Sequence, residues 1–236
     1  MITVLTSFRK GGTGKSTLAS LISMAPRKTQ RPICLVDCDG GSSQIFGLSD
    51  YPGLSEVLEG ARLRDVVVEI EVEERWPGKG RSILGGGVQP RLWILPRGRG
   101  EVRPDEVLEV AEALNSISDV VIDLPAYPRG EYDYLVRRSD VVLLVANPDD
   151  ASLRAVLDYS LDGIEGVVKP VLNKSVKELS EPYIDALRKF GVVHEVPFDE
   201  ALVLLFEEPE KALRKMKKQT ARSIEEVAQA AFKRAV

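Results

Sequence analysis

The stretch Ser7-Phe8-Arg9-Lys10-Gly11-Gly12-Thr13-Gly14-Lys15-Ser16-Thr17 constrains this chain more than any other. It follows a short apolar, β-branched run, Ile2–Thr6, and leads at once into helical spacing over Lys15–Ala25. A strand, a glycine-rich turn and a helix N-terminus together form an anion site. Successive backbone N–H groups point inward, and glycine lets the chain approach phosphate oxygens with no Cβ in the way. In such a site Lys15 neutralises the β- and γ-phosphates of a nucleotide, and the Ser16 hydroxyl meets Mg2+. Gly11, Gly12, Thr13, Gly14 and Thr17 supply the rest of the cradle. The plain alternative is a glycine-rich strand-to-helix turn that binds nothing.

The remainder of the chain repeats the same grammar. Ile33–Asp37, Leu92–Leu95, Val120–Asp123, Val141–Ala146, Val167–Leu172 and Val192–Val196 read as further strands, mostly apolar on both faces. Strands of that kind belong to a parallel sheet covered by helices on both sides. Pro104–Ser116, Glu131–Arg138, Ser152–Leu161 and Leu179–Phe190 carry helical spacing between them. The pattern predicts a single doubly wound α/β domain, mostly parallel, over residues 1–236. Residues 69–91 break the rhythm with alternating charges and a run of glycines, which reads as a loop or small hairpin insertion. Helices are expected over 208–236.

Acidic residues stand where such a sheet places its ligands, at the carboxyl ends of strands. Asp37 and Asp39 end the second strand, two residues apart, so an extended backbone would point both the same way. Two like charges there call for a cation or a water relay; two capping aspartates are the alternative. Asp123 ends Val120-Val121-Ile122, as a Mg2+-supporting carboxylate on a rigid strand requires. Asn173-Lys174 ends a later strand, but Val176 stands where a guanine-reading motif needs an aspartate, which favours adenine. A strand-end turn residue is the other reading of Asn173. Cys34 and Cys38 form no Cys-x-x-Cys pair or Cys/His cluster, so zinc and redox-motif chemistry are not indicated. The N-terminal apolar run is too short for a signal peptide, and no apolar run approaches a membrane span. The expected location is cytoplasmic.

Position 9 is Arg where the general P-loop has glycine, and a second lysine, Lys10, stands just ahead of the glycines. Lys10-Gly11-Gly12-Thr13-Gly14-Lys15-Ser16 resembles the deviant Walker A motif of the ParA/MinD family of ATPases. The resemblance runs from the first strand to Asp199. It implies that Lys10 crosses the interface of an ATP-sandwich homodimer to the partner's phosphates. It gives Asp37 a place in the Mg2+ shell with Ser16 and Asp123, and gives Asp39 the orientation of the attacking water. Asn173 and Pro197 would line the base, and Asp123-Leu124-Pro125-Ala126 resembles the family's Asp-x-Pro switch segment. Gly40-Gly41 departs from the family's usual Pro-Gln.

What such an ATPase would act on depends on charge. The net charge of −4 argues against indiscriminate nucleic-acid binding. Yet Lys211–Arg222 holds six positive and no negative residues, leaving 26 Lys and Arg against 36 Asp and Glu elsewhere. On one helix Lys211, Arg214, Lys215, Lys218 and Arg222 would share a face, suited to nonspecific contact with DNA phosphates. A solvated helix face is the alternative. ParA-like members would pair DNA binding with a ParB-like centromere-binding partner, and would be nucleoid-associated. MinD-like members instead end in a membrane-inserting helix. Here Ile224, Val227, Ala228, Ala231 and Phe232 form an Ala-rich stripe, better suited to packing on the domain itself. An amide-forming P-loop synthetase is a third reading, and Lys10 argues against it.

Overall fold

The computed structural model describes residues 1–27, 31–71, 76–77, 90–127 and 130–233. Along the chain run β1 (Ile2–Thr6), α1 (Lys15–Met24), β2 (Ile33–Asp37), α2 (Gly41–Ile45), α3 (Leu54–Leu58), α4 (Leu63–Val66), β3 (Val68–Ile70) and β4 (Leu92–Leu95). There follow α5 (Val107–Asn115), β5 (Asp119–Asp123), α6 (Asp133–Arg138), β6 (Val141–Ala146), α7 (Asp150–Leu157), β7 (Val167–Ser175), α8 (Glu181–Leu187), β8 (His194–Pro197), α9 (Pro209–Lys215) and α10 (Lys218–Ala231).

Among the described residues the strands form one sheet in the order β3-β4-β2-β5-β1-β6-β7-β8. Every pairing is parallel except β3 with β4. The sequence explains why. Val141, Leu143 and Val145 of β6 enter one core with α1 and α10, while Val142, Leu144 and Ala146 enter the opposite core with α5 and α6. Such a strand is apolar throughout because both faces are covered, and each large side chain contributes roughly 1.5–3 kcal/mol by leaving water. The central strand β1 pairs with β5 on one side and β6 on the other, with Val4 opposite Ile122 and Val142. The chain crosses over at this strand, and a crevice opens beyond its carboxyl end.

The strand-by-strand reading is matched closely, with β3 as an added edge strand. Most of the expected insertion at 69–91 lies outside the described residues. Its described ends, Glu69-Ile70 and Arg91-Leu92, belong to the antiparallel β3–β4 pair. Between them Trp76 is buried and donates from Nε1 to Glu225 of α10 at 2.8 Å.

The single basic helix expected over Lys211–Arg222 is corrected. The chain breaks between α9 and α10, with Met216 and Lys217 in extended geometry. Asp199 holds the break by accepting from the Lys217 amide at 2.8 Å. Three of the cations also face carboxylates: Lys211 with Glu208, Arg214 with Glu210, and Arg222 with Glu226. Lys211, Arg214, Lys215, Lys218 and Arg222 therefore do not form one helical stripe. The final helix fulfils the packing expectation: Ile224, Val227, Ala228 and Ala231 are fully buried. Thr3 Oγ1 and Lys169 Nζ donate to carbonyls at its end. Among the described residues no helix is long and apolar enough to cross a membrane.

Candidate functional site

The phosphate loop leaves β1 through Phe8, whose positive φ of 47° begins the turn. Gly12 and Gly14 continue it at φ 74° and 85°. Gly14 is required on two counts, because a Cβ there would also stand 2.4 Å from Asn173 Nδ2. Helix α1 starts directly after it with no side-chain cap and no acidic residue in its first turn. The first amides of that helix are thus left for an external anion.

Three side chains hold the loop from the β6 and β7 side. Asn173 Nδ2 donates to the Thr13 carbonyl at 2.7 Å, and Lys174 Nζ donates to Gly12 at 2.9 Å. Asn147 Nδ2 reaches the same Gly12 carbonyl at 3.3 Å. Asn173 thereby has a bracing task that sequence reasoning did not give it. Lys174 entered the sequence reading only as part of the Asn173-Lys174 strand end, with no contact to the loop, and Asn147 was missed altogether, since nothing in its spacing links it to the loop.

Lys15 is buried, and burial pushes its ammonium below the usual lysine range, while Asp123 and Asp39 pull it back up. The two carboxylates differ. Asp39 is exposed at the lip, its pKa raised by partial burial and by Asp37, and lowered by Lys15. Asp123 is fully buried at the end of β5 and is pushed well above the usual carboxylate range by burial and by Asp37. Ser42 Oγ donates to Asp123 Oδ2 at 2.7 Å. Among the described residues Asp123 Oδ1 is buried without a hydrogen-bond partner, as is Thr13 Oγ1. An orphaned, desolvated carboxylate oxygen is costly unless a cation or a further donor meets it.

Asp37 stands differently from the expectation of a metal-facing pair. Its Oδ1 accepts from the amides of Asp39 and Gly40 at 2.9 and 2.7 Å. Its Oδ2 accepts from the amide and hydroxyl of Ser43 at 2.5 and 2.7 Å. Both oxygens are spent on the turn into α2. The geometry thus gives Asp37 the capping task, while Asp123 Oδ1 meets no hydrogen-bond partner among the described residues.

A cavity of about 590 Å³ runs from the loop, with Lys15 and Asp39 at one end, to an apolar end at Pro197. Phe198, Leu202, Val203 and Phe206 complete that end. Phe198, Val203 and Phe206 are exposed apolar residues on and beside a 3-10 segment, Glu200–Phe206. Sequence reasoning stopped at Pro197; the signal it passed over was this apolar run just beyond. The volume and the pairing of a cationic with an apolar end suit a small nucleotide-sized ligand.

Lys10 does not line this cavity. It faces a separate surface depression with Arg9, Asp150, Arg154 and Asp158 at the flank of α7. Hydrogen bonds between Ser7 and Lys10 in both directions fix the turn that carries it.

The comparisons agree with this geometry. No protein-family model matches the chain. A chain of the MinC:MinD cell division protein complex of Aquifex aeolicus superposes with a TM-score of 0.70 at 22% identity, covering 100% of this chain and 97% of that one. The septum site-determining protein MinD of Pyrococcus horikoshii, complexed with Mg-ADP, gives 0.68 at 20%, covering 98% and 96%. A ParA family ATPase from Chlorobium tepidum gives 0.68 at 17%, covering 96% and 98%. The chain has the ParA/MinD fold. In sequence, two uncharacterized ATP-binding proteins of Methanocaldococcus jannaschii are each 27% identical to it. The first matches over 203 residues, 80% of this chain and 72% of the relative. The second matches over 202 residues, 81% and 72%.

Proposed function

We propose that this protein is a Mg2+-dependent ATPase of the ParA/MinD family that forms a homodimer around bound ATP. The observation that carries the reading is one cavity lined by Lys15, Ser16 and Asp39 at one end and apolar at the other, with the buried Asp123 near enough to Lys15 to act on its charge. The names of the curated relatives, both ATP-binding, support the nucleotide. Lys15 and the first amides of α1 take the phosphate charge. The orphaned Asp123 Oδ1, with the Ser16 hydroxyl on the loop, fits a divalent cation, which supplies charge neutralisation at the phosphates. Asp39 orients the attacking water, and no covalent intermediate is formed. Asp37 shapes the turn that presents Asp39. Pro197 and its apolar neighbours take the base, beside Asn173.

The position of Lys10 outside its own cavity supports a role toward a partner's phosphates. The matrix on which the dimer acts is read as nonspecific DNA, in ParA-like partition with a ParB-like stimulating partner. Lys215, Lys217 and Lys218, exposed around the α9–α10 break, are the cations that fit this contact. The apolar face of α10 packs on the core, so this helix does not favour the MinD-like membrane alternative. Hydrolysis of radiolabelled ATP with and without EDTA tests the reading: Mg2+-dependent turnover supports it, and no nucleotide binding in either condition refutes it.

A further inference from the structure

We infer that Ser42 is a positioning residue for the Mg2+ site, acting through Asp123. The inference rests on the Mg·ATP reading and adds to it a residue outside the family motif. Ser42 is fully buried and gives its proton to Asp123 Oδ2 at 2.7 Å. Behind it, Ser20 of α1 donates to Ser42 Oγ at 3.4 Å, which leaves the Ser42 hydroxyl to act as donor toward the carboxylate. One oxygen of Asp123 is thereby fixed, and Oδ1 is left as the oxygen available to a cation.

The departure Gly40-Gly41 is what brings Ser42 to this place. Gly40 adopts φ 101°, closed to proline, whose ring holds φ near −65°. At Gly41 a Cβ would stand 2.5 Å from Ser16 Oγ and 2.8 Å from Ser16 Cβ. With no side chain at 41 the first turn of α2 lies directly against Ser16. The same turn is locked from beneath by Asp37 through Ser43. The glycine pair, the serine and the strand-end aspartate thus form one unit around the Ser16 hydroxyl. Partners that orient a metal-supporting carboxylate are worth roughly 10–100-fold in metal affinity.

The test is a Mg2+ titration of fluorescent ATP-analogue binding in the full-length protein, with a parallel measurement in EDTA. Ser42→Ala is expected to raise the Mg2+ concentration for half-maximal tightening by about tenfold or more. Binding in EDTA should stay within about twofold, since the phosphate contacts of the loop are untouched. Ser42→Cys, a weaker donor of similar size, should fall between wild type and Ser42→Ala. Gly41→Ala, which must push the turn off Ser16, should shift the Mg2+ midpoint in the same direction. An unchanged midpoint in Ser42→Ala overturns the inference alone, as does an equal loss of binding in EDTA. A wild-type protein that binds the analogue without any Mg2+ dependence overturns the Mg·ATP reading, and the inference with it.

Discussion

Asn173 Nδ2 lies 2.7 Å from the carbonyl oxygen of Thr13 and ties the end of β7 to the phosphate loop. A residue expected at the base thus also shapes the phosphate cradle. A buried hydrogen bond of this kind is worth about 1 kcal/mol net, and more when its loss orphans the partner. Asn173→Ala should therefore weaken ATP roughly fivefold to thirtyfold and weaken inorganic pyrophosphate as well. Competition titrations with the two ligands check this. Loss of ATP affinity with pyrophosphate unaffected would leave Asn173 as a base contact only.

Gly14 offers a sharper perturbation at the same place. Ala at this position meets a left-handed backbone and Asn173 Nδ2 at 2.4 Å. The backbone term alone costs roughly 1–2 kcal/mol. Gly14→Ala should abolish detectable nucleotide binding while circular dichroism shows a folded α/β protein. Wild-type affinity in this variant would contradict the account of the loop.

Asp39 separates binding from chemistry. Its carboxylate is exposed at the lip of the cavity, whereas Lys15 and Asp123 are buried. Asp39→Ala should retain ATP within a few-fold and lose about 10²–10⁴-fold in turnover, as expected for loss of a water-orienting base. Single-turnover hydrolysis measures the step directly, and normal turnover would remove Asp39 from the mechanism.

The α9–α10 junction decides between matrices. If DNA is the matrix, reversing Lys215, Lys217 and Lys218 to Glu should abolish ATP-dependent binding to random-sequence DNA, and raising salt should do so in the wild type. Reversing Arg222, already paired with Glu226, should do less. Co-sedimentation with anionic liposomes should be negligible, because exposing Ile224 and Val227 would take apart a core. ATP-dependent liposome binding without DNA binding would favour the membrane reading.

How much of this was legible beforehand follows from the range of the forces involved. The parallel strands announce themselves because a strand covered on both faces must be apolar at every position, as Val141–Ala146 is. The phosphate loop is legible because its chemistry is local: positive φ, missing Cβ atoms and an uncapped helix lie within a few residues. The edge strand Val68–Ile70 is short and half-buried, so it carries no such pattern. The break between α9 and α10 depends on Asp199, eighteen residues before Lys217, and basic spacing alone reads through it. The apolar end of the cavity and the tasks of Asp37 and Ser42 likewise depend on partners that only the fold brings together.

The central claim, an ATP-dependent dimer in which Lys10 serves the partner, is tested most directly by mass in solution. Light scattering coupled to size exclusion can follow Asp39→Ala, the slow-hydrolysing background, with Mg·ATP and with Mg·ADP. Twice the 26.0 kDa protomer mass with ATP, one protomer with ADP, and one protomer with ATP once Lys10→Ala is added is the predicted outcome. A Lys10→Ala protein that still doubles its mass with ATP would contradict it.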